Sequence, residues 1–441
     1  MRTPNTNNTE NAWNVNTNGS ANNNNVTNSN GVAFAIMLLS GRPSRHFAEH
    51  RPTNHKESLT CLIWKGRRTW LRTRFSCAKE SSAISRNKYF MKEFEKLFSY
   101  DNLYHSFLQC RKNQSWKDGV IWFSQNYADE LYLLEQEILS GTYAAKPDMI
   151  TQIHERGKTR TIHSQHIRDR IVHKIVNQEI LKPIFHKQFI YANFASQNNK
   201  GTSLARKVFK CHLNRAYRKW ENDFYVLQID MKSYFESIPH WYIEKLIREK
   251  IADERIINLC LEPMKSYPNG RGLGLGSEIN QTYALLCLDK LDHMIKEHYR
   301  VKEYGRSMDD MYLFSDSKSL LSEILEDIKL HIDELGLKLN EKKTNIFPIK
   351  NSISYLGYKW RLTGTGHVLY VPKKQTFIRN KRKLRKYRQK LSLGNFTYKE
   401  VENNYKTMRQ TFKRSNAKSA LGRMDSYYNS IFIKGGYWAN E

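Results

Sequence analysis

The chain has 441 residues, and its 72 lysines and arginines against 43 acids give a formal net charge of +29. A surplus of this size indicates a polyanionic partner, most often nucleic acid. No apolar run reaches the ~18–20 residues that span a bilayer, so we expect no membrane partner. The six cysteines are scattered and form no CxxC pair, which excludes the usual zinc and disulfide patterns and fits a cytoplasmic protein.

The first 90 residues lack the periodicity of a folded domain. Thirteen of the first thirty residues are asparagine, and no apolar period of 2 or 3.6 runs through them. Such a composition is typical of a disordered polar leader. We therefore expect a leader over 1–90, with an Asn-rich part at 5–30, and ordered structure from about Met91.

From Met91 onward, helical and strand patterns alternate. Helical spacing runs through 91–112 and 119–141, where Gly141 is the expected stop, and again through 160–185. The segments 224–235 and 308–315 read as short apolar strands that carry acids at their ends. An amphipathic helix over 319–339, with Gly336 as its C-cap, and an apolar, glycine-broken stretch at 353–360 follow. Basic helical sequence begins near Val371. This alternation predicts an α+β fold with its chemistry at one sheet edge.

Three carboxylates are candidates for that chemistry. Asp230 ends the strand "VLQID", and Asp309 and Asp310 are adjacent in "YGRSMDDMYLF". Two neighbouring aspartates inside an apolar strand repel each other and point to opposite faces, which indicates a compensating cation such as Mg²⁺ or Mn²⁺. Two ions about 3.5–4 Å apart would align a 3′-hydroxyl and stabilise a departing pyrophosphate. The alternative is a hairpin with Asp-Asp at its turn.

Five segments follow one another along the chain in this order: "LQIDMKSYFESIPH", "GLGLGSEINQTYALLCLDKLD", "YGRSMDDMYLF", "LGLKLNEKKTNIF" and "YLGYKW". Each resembles one consecutive palm motif of a reverse transcriptase, and "ERGKTRTIHSQHIRDRIVHKIV" and "FASQNNKGTSLA" extend the resemblance upstream, so that it covers about 140–360. It implies RNA-directed DNA polymerase activity and a right-hand polymerase fold of α+β class. The implied division is N-terminal helices and fingers over 91–229, the palm over 230–360 and a basic helical thumb over 361–441.

The resemblance assigns roles by position. Asp230, Asp309 and Asp310 match the catalytic metal ligands, which implies two Mg²⁺ ions, with Mn²⁺ as a substitute. Phe235 matches the aromatic gate that excludes a ribose 2′-hydroxyl, although spacing alone favours a core aromatic. Leu356 and Gly357 match the primer grip. The remaining dNTP-binding positions are Lys158, Arg160, Leu275, Gly276, Asn280, Gln281 and one of Lys342 and Lys343, between which the sequence does not choose.

The C-terminal part carries ten basic residues and no acid between Lys373 and Lys390. A run of one sign repels itself, so a merely solvated helix face is disfavoured. A helix lying along the primer–template backbone suits it better. We expect these contacts from Lys381, Arg382, Arg385, Lys386 and Arg388.

The sequence departs from the family pattern at two places, and the second indicates its type. Ser307 replaces the usual aromatic residue before Met-Asp-Asp. Leu275, Gly276 and Gln281 resemble the motif of diversity-generating retroelement enzymes, with Asn280 where serine is usual. That resemblance implies error-prone copying, at adenines, of a template-repeat RNA into cDNA for mutagenic retrohoming into a target gene. It also implies dNTPs, template RNA, a primer and a basic accessory variability protein as partners, and a bacterial or phage source.

The Asn-rich leader fits the same type, because adenine-rich asparagine codons fill template repeats, and "AWNVNTNGSANNNNVTNSNG" resembles a translated repeat. A genuine leader is the alternative. For the function, the alternatives are a retron, intron maturase or phage-defence reverse transcriptase, and a non-catalytic RNA-binding protein. The three aspartates disfavour the last.

Overall fold

The structure is a computed structural model that describes residues 93–155, 157–267 and 269–432. The expected leader over 1–90, its resemblance to a translated repeat and the start of order near Met91 lie outside these residues. Among the helices described, none is long and apolar enough to cross a membrane.

A helical segment at 93–97 comes first along the described chain, and three helices follow it. The segment predicted to be helical at 119–141 forms two helices, because the chain breaks at Asn126. The second of them ends as predicted: Gly141 adopts φ +75° and its N–H is bonded to the carbonyls of Glu137 and Ile138. These helices are α1 (Tyr100–Arg111), α2 (Asp118–Gln125) and α3 (Tyr127–Ser140).

A β-hairpin replaces the first part of the helix predicted over 160–185. Gly157, at φ +76°, lies in the turn, and the alternating Thr-Ile-His sequence after it suits a strand with a period of 2. That part of the helix prediction was wrong. The hairpin is β1 (Met149–Glu155) with β2 (Lys158–Ser164), and the helical part is α4 (Ile167–Ile175), a π-helical segment (Val176–Leu181) and α5 (Lys182–Phe185).

The centre of the protein is a four-stranded antiparallel sheet in the order β4-β5-β3-β6. The two central strands, Tyr225–Ile229 and Asp310–Ser315, are apolar and largely buried because helices pack against the sheet, whereas the edge strand Asn345–Pro348 is half-buried or exposed. The elements of this part are α6 (Thr202–Trp220), β3 (Tyr225–Ile229), α7 (Tyr234–Ser237), α8 (His240–Arg248), α9 (Glu254–Lys265), α10 (Glu278–Cys287), α11 (Asp289–His293) with a π-helical segment (Met294–His298), β4 (Tyr304–Ser307), β5 (Asp310–Ser315), α12 (Lys318–Glu334) and β6 (Asn345–Pro348).

The two adjacent aspartates do not share a strand. Ser307 pairs with Asp310 across the β4–β5 hairpin, which leaves Met308 and Asp309 as its two-residue turn. Met308 adopts φ +62° there. The prediction of a strand over 308–315 was therefore wrong at its first two residues. The hairpin alternative gives the chain reversal, but the turn holds Met308 and Asp309 in place of Asp-Asp, and Asp310 already belongs to the strand.

A three-stranded sheet and three helices complete the described chain. The sheet has the order β7-β8-β9, and the helices share a separate apolar core that includes Leu384, Val401, Phe412 and Met424. A capping box between Thr397 and Glu400 starts the middle helix. The elements are β7 (Ile353–Tyr355), β8 (Tyr358–Leu362), β9 (Val368–Pro372), α13 (Lys374–Ser392), α14 (Tyr398–Lys413) and α15 (Lys418–Phe432).

The predicted fold class, α+β with helices and antiparallel sheets, is confirmed. The predicted division of the chain stays a prediction. Strand β3, Tyr225–Ile229, pairs with β5 although it lies before the expected boundary at 230. Strand β8, Tyr358–Leu362, spans the expected boundary at 360.

Candidate active site

The candidate site lies where β3 ends beside the β4–β5 turn. Ile229 is paired with Met311 in antiparallel register, so the next residue of β3, Asp230, stands across from Asp310. Asp309 is next to Asp310 in the turn. The sheet register thus brings together the three carboxylates that the sequence separates by about eighty residues.

Two side chains from the turn before β6 hold Asp230. Lys343 Nζ is 2.7 Å from Asp230 Oδ2, and Asn340 Nδ2 donates to the same oxygen at 2.9 Å. The Asn340 backbone N–H also donates to the Asp230 carbonyl at 2.8 Å. The sequence left Lys342 and Lys343 as equal candidates, and the structure brings Lys343 to Asp230.

The three carboxylates lie close together, and their burial and mutual repulsion raise the pKa of two of them. Burial, followed by the charges of Asp309 and Asp230, raises the pKa of Asp310 to about 7. Burial also raises the pKa of Asp309, helped by the charge of Asp230 and opposed by the Lys343 ammonium. Like charges at this spacing favour either a proton or a cation among them.

The donor set fits hard divalent cations such as Mg²⁺ or Mn²⁺, because all three side chains offer carboxylate oxygens. In the part of the chain that the structure describes, no group of three or more His, Cys, Asp or Glu side chains is gathered tightly enough to hold a metal ion as it stands. A cation bound by Asp230 would compete with the Lys343 ammonium for Oδ2.

The Leu275 loop, residues 273–277, lies against the β1–β2 hairpin. Leu275 forms an isolated parallel bridge with Ile162 of β2. Gly276 is exposed at φ +110°, a conformation that side chains rarely adopt, and a Cβ there would be 3.7 Å from Ile162 Cγ2. This places the loop beside the strand that carries Lys158 and Arg160.

The Asn280 side chain is buried and is hydrogen-bonded to the backbone of the Leu275 loop. It is 1% exposed, and Nδ2 donates to the Gly274 carbonyl at 3.1 Å. That Asn280 binds the dNTP stays a prediction; in the structure its buried amide fixes the loop backbone. Gln281 is half-buried, and its Oε1 accepts a hydrogen bond from Ser196 Oγ at 2.6 Å.

The other predicted nucleotide contacts stay predictions. Phe235 is half-buried on α7, directly after buried Tyr234, and its carbonyl accepts from Leu273 N–H at 2.7 Å. Thus the expected gate is tied by its backbone to the start of the Leu275 loop. Lys158 and Arg160 lie on β2, and Arg160 is half-buried.

Leu356 and Gly357, the expected primer grip, form the two-residue turn between β7 and β8. Both have positive φ, +47° and +84°, which is typical of a type I′ hairpin turn. The half-buried Leu356 side chain packs against the aromatic core that contains Phe209 and Trp360. The turn is therefore anchored, as a primer-contacting segment requires.

The basic residues of α13 divide between two directions. Arg382, Lys386 and Arg388 are exposed, and so is Arg385, although its Nε donates to the Tyr427 hydroxyl of α15 at 2.8 Å. The Lys381 ammonium instead lies 4.0 Å from the centre of the Tyr427 ring of α15. Lys381 therefore packs between helices in this structure, and its contact with the nucleic-acid backbone stays a prediction.

Sequence reasoning missed the residues that support the site. Asn340 carries no motif signal of its own and is found only through its contact with Asp230. Arg306 and Asp292 form a fully buried ion pair, with Nη2 2.6 Å from Oδ2. The sequence signal for this pair is small: an arginine between Gly305 and Ser307, three positions before Asp309.

The amino-acid sequence is similar to one protein family and to a curated protein. The family model described as reverse transcriptase (RNA-dependent DNA polymerase) matches residues 145–360. Among curated proteins, "Protein YkfC" of Escherichia coli (strain K12) is 24% identical over 289 residues, which cover 55% of this chain and 74% of that protein.

Similar solved structures include two yeast telomerases. Telomerase from Candida albicans, in complex with a fragment of telomeric RNA, has a TM-score of 0.40 and 11% identity over 69% of this chain and 65% of that chain. Apo telomerase from Candida tropicalis has a TM-score of 0.43 and 12% identity over 70% of this chain and 64% of that chain. This chain thus spans less than two thirds of either, and likenesses at this level carry no information on substrates.

Proposed function

On the premise that residues 145–360 are a reverse transcriptase domain, an RNA-directed DNA polymerase, we propose that this protein is the mutagenic reverse transcriptase of a diversity-generating retroelement. It copies a template-repeat RNA into cDNA with errors at adenines, and the cDNA replaces part of a target gene. The observation that carries the polymerase part is the convergence of Asp230, Asp309 and Asp310 at the end of the central sheet.

In the proposed reaction these three carboxylates hold the two Mg²⁺ ions. When bound, such ions lower the pKa of the primer 3′-hydroxyl and stabilise the charge of the leaving pyrophosphate. Lys343 donates to Asp230 in this structure, so its ammonium is within reach of the triphosphate side of the site. Phe235 excludes the ribose 2′-hydroxyl, and Lys158 and Arg160 bind the triphosphate, for which the guanidinium fork of Arg160 is suited.

The mutagenic part of the proposal is supported by Leu275. Its aliphatic side chain offers shape but no hydrogen bond to a nucleotide, so base selection depends on the position of the loop. Asn280 fixes that position through the Gly274 carbonyl. The preference for adenine follows only from the resemblance to the retroelement enzymes.

We further propose the partners of that family: template RNA, a primer, dNTPs and a basic accessory variability protein. The retron, maturase and phage-defence types keep the same catalytic residues and differ in template and errors. They are the second candidates for this protein, and error spectra separate them from the first.

The test is to copy one defined RNA with the wild-type protein and with Leu275→Gln and Asn280→Ser, and to sequence the cDNA. We expect wild-type errors to concentrate opposite template adenines, and both variants to change that spectrum. One lost contact worth ~1.4 kcal/mol corresponds to a tenfold change in selectivity.

The same assay includes Asp309→Ala and Asp310→Ala, which should abolish dNTP incorporation. Asp316→Ala, at the opposite, exposed end of β5, is the matched control and should polymerise normally. Uniformly low error at all four bases would leave an ordinary reverse transcriptase. Incorporation by both active-site variants would remove the catalytic assignment.

A further inference from the structure

A buried ion pair lies directly behind the turn that carries Asp309. Arg306 and Asp292 are both 0% exposed, and Arg306 Nε and Nη2 donate to the two oxygens of Asp292 at 2.6–3.0 Å. Tyr304 OH donates to the same carboxylate. Burial opposes the charge of the guanidinium, but Asp292 outweighs this effect and holds the pKa of Arg306 above its usual value.

The backbone of Arg306 is fixed independently of its side chain. Its N–H donates to the Ala192 carbonyl, and its carbonyl accepts from Phe194 N–H, each at 2.9 Å. These bonds add a parallel neighbour, residues 192–194, to β4 on the side opposite β5. Strand β4 is therefore held on both edges up to the residue before the turn.

The remaining nitrogen of Arg306 reaches into the turn. Nη1 donates to the Met308 carbonyl at 3.1 Å, and Nη2 also donates to the Leu285 carbonyl at 3.1 Å. Met308 is at φ +62°, a left-handed conformation that is unfavourable for a non-glycine residue. A turn in this conformation needs a compensating contact if it is to keep one geometry.

We propose that Arg306 is a positioning residue for the active site: its guanidinium, fixed by Asp292, holds the Met308 carbonyl and so sets the position of Asp309 relative to Asp230. This inference rests on the proposed function only where it states that the position of Asp309 matters for dNTP incorporation. Arginine is required because its planar fork serves Asp292, Leu285 and Met308 at once, whereas a lysine ammonium supplies a single point of donation.

The decisive variant removes the anchor while keeping the interior filled. Tyr304→Phe, Asp292→Leu and Arg306→Met are combined, since a buried ion pair replaced as a whole by apolar side chains often leaves stability unchanged or higher. Arg306→Lys is the second variant, because it keeps a charge beside Asp292 and loses the fork. Arg168→Met is the matched control: Arg168 is also buried, but its partners Glu137, Asp169 and Ala144 lie outside the central sheet and its turn.

Three measurements are made on each full-length protein: amide hydrogen exchange of residues 307–311, Mn²⁺ binding by electron paramagnetic resonance, and steady-state dNTP incorporation. We expect both Arg306 variants to show faster exchange in the turn, Mn²⁺ affinity lower by about tenfold, and kcat lower by about tenfold or more with KM for dNTP within about twofold. The control should differ from wild type in none of these.

Wild-type exchange rates at 307–311 in both Arg306 variants would overturn the inference. So would faster exchange in the turn with unchanged Mn²⁺ affinity and kcat, because the position of Asp309 would then not depend on the anchor. If the wild-type protein incorporates no dNTP, the proposed function fails on its own, and exchange and Mn²⁺ binding still decide whether Arg306 holds the turn.

Discussion

Lys342 and Lys343 are neighbours of the same type whose surroundings differ. Both follow the residues 340–341 that close onto β3, and the backbone turn there is fixed by hydrogen bonds from Lys343 and Thr344 N–H to the Asn340 carbonyl, each at 2.9 Å. This turn brings Lys343 Nζ to Asp230 and leaves Lys342 exposed. At the scale of one residue, position within a turn decides which of two identical side chains reaches the site.

We expect Lys343→Ala to lower kcat for dNTP incorporation by about tenfold or more, because the proposed charge-assisted contact of its ammonium with the triphosphate is lost. Lys342→Ala is its matched control and should stay within about twofold of wild type. The measurement is steady-state incorporation on an RNA template. Equal losses in the two variants would show that general positive charge, and not contact with Asp230, is what matters.

His173 is a residue-scale source of acid sensitivity. It is 4% exposed on α4, and neither ring nitrogen has a hydrogen-bond partner among the described residues. Burial lowers its pKa to about 3. Below pH 6.5 the unfolded chain therefore binds a proton that the folded protein does not, so stability falls as the pH falls from about 6.5 towards 3.

At pH 5 this difference amounts to about 2 kcal/mol. We expect His173→Leu to lose correspondingly less unfolding free energy between pH 7 and pH 5 than wild type does, as measured by urea denaturation. His105→Gln, at an exposed position, should keep the wild-type pH dependence. Parallel pH profiles for wild type and His173→Leu would show that His173 is not the source.

At the scale of an element, the Leu275 loop depends on a glycine that is packed under an aromatic ring. A Cβ at Gly274 would overlap the Tyr267 hydroxyl and lie 3.0 Å from His163 Cβ. We expect Gly274→Ala to lower the unfolding free energy by about 1–3 kcal/mol and to disturb nucleotide selection by shifting the loop. Thermal denaturation and the error assay measure both effects.

Tyr267→Ala removes the ring that the added methyl group would overlap. The loss of unfolding free energy caused by Gly274→Ala should therefore be smaller in a protein that also carries Tyr267→Ala. Gly119→Ala serves as the glycine control, since a Cβ there meets no atom within 4 Å in α2 and should be neutral or stabilising. A Gly274→Ala effect that is the same with and without Tyr267 would place the conflict elsewhere.

The exposed arginines of helix α13 predict how the affinity for nucleic acid depends on salt concentration. Arg382 and Arg388 are exposed, whereas Lys381 packs over Tyr427. We expect each arginine→Ala change to reduce the slope of log K against log salt for an RNA–DNA duplex by about 1. Lys381→Ala should leave the slope unchanged and lower stability by about 0.5–1 kcal/mol. A reduced slope in Lys381→Ala would return that residue to the nucleic-acid interface.

Helices and strands were predicted correctly where the apolar periodicity extends over many residues. The prediction failed where contacts with distant parts of the chain determine the element type. Helix α12, Lys318–Glu334, has a regular apolar stripe, and Gly336 follows it at φ +65° as predicted. The residues of β2 were assigned to a helix because the apolar spacing of α4 was extended backwards across the hairpin. The three aspartates came from ordered motifs, whereas Arg306 and Asn340 act through contacts that only the folded sheet creates.

At the scale of the whole molecule, the described chain has separate aromatic and helical cores. One lies against the central sheet and contains Phe209, Tyr312 and Trp360. Another holds the three C-terminal helices together through residues such as Leu384 and Met424. The C-terminal helices therefore have an apolar interior of their own, and changes on the exposed face of α13 should leave the catalytic sheet intact.

The strand order also has a consequence for synthesis of the protein on the ribosome. Strand β3 is complete at Ile229, but its neighbours in the sheet begin only at Asp310 and Asn345. A nascent chain that has grown to residue 300 thus carries an apolar strand with both hydrogen-bonding edges open, the form of strand that is most prone to pair with other chains. Throughout this interval β3 is open to pairing with other chains, and Asp230 gains the last of its side-chain neighbours only once the chain has grown past Lys343.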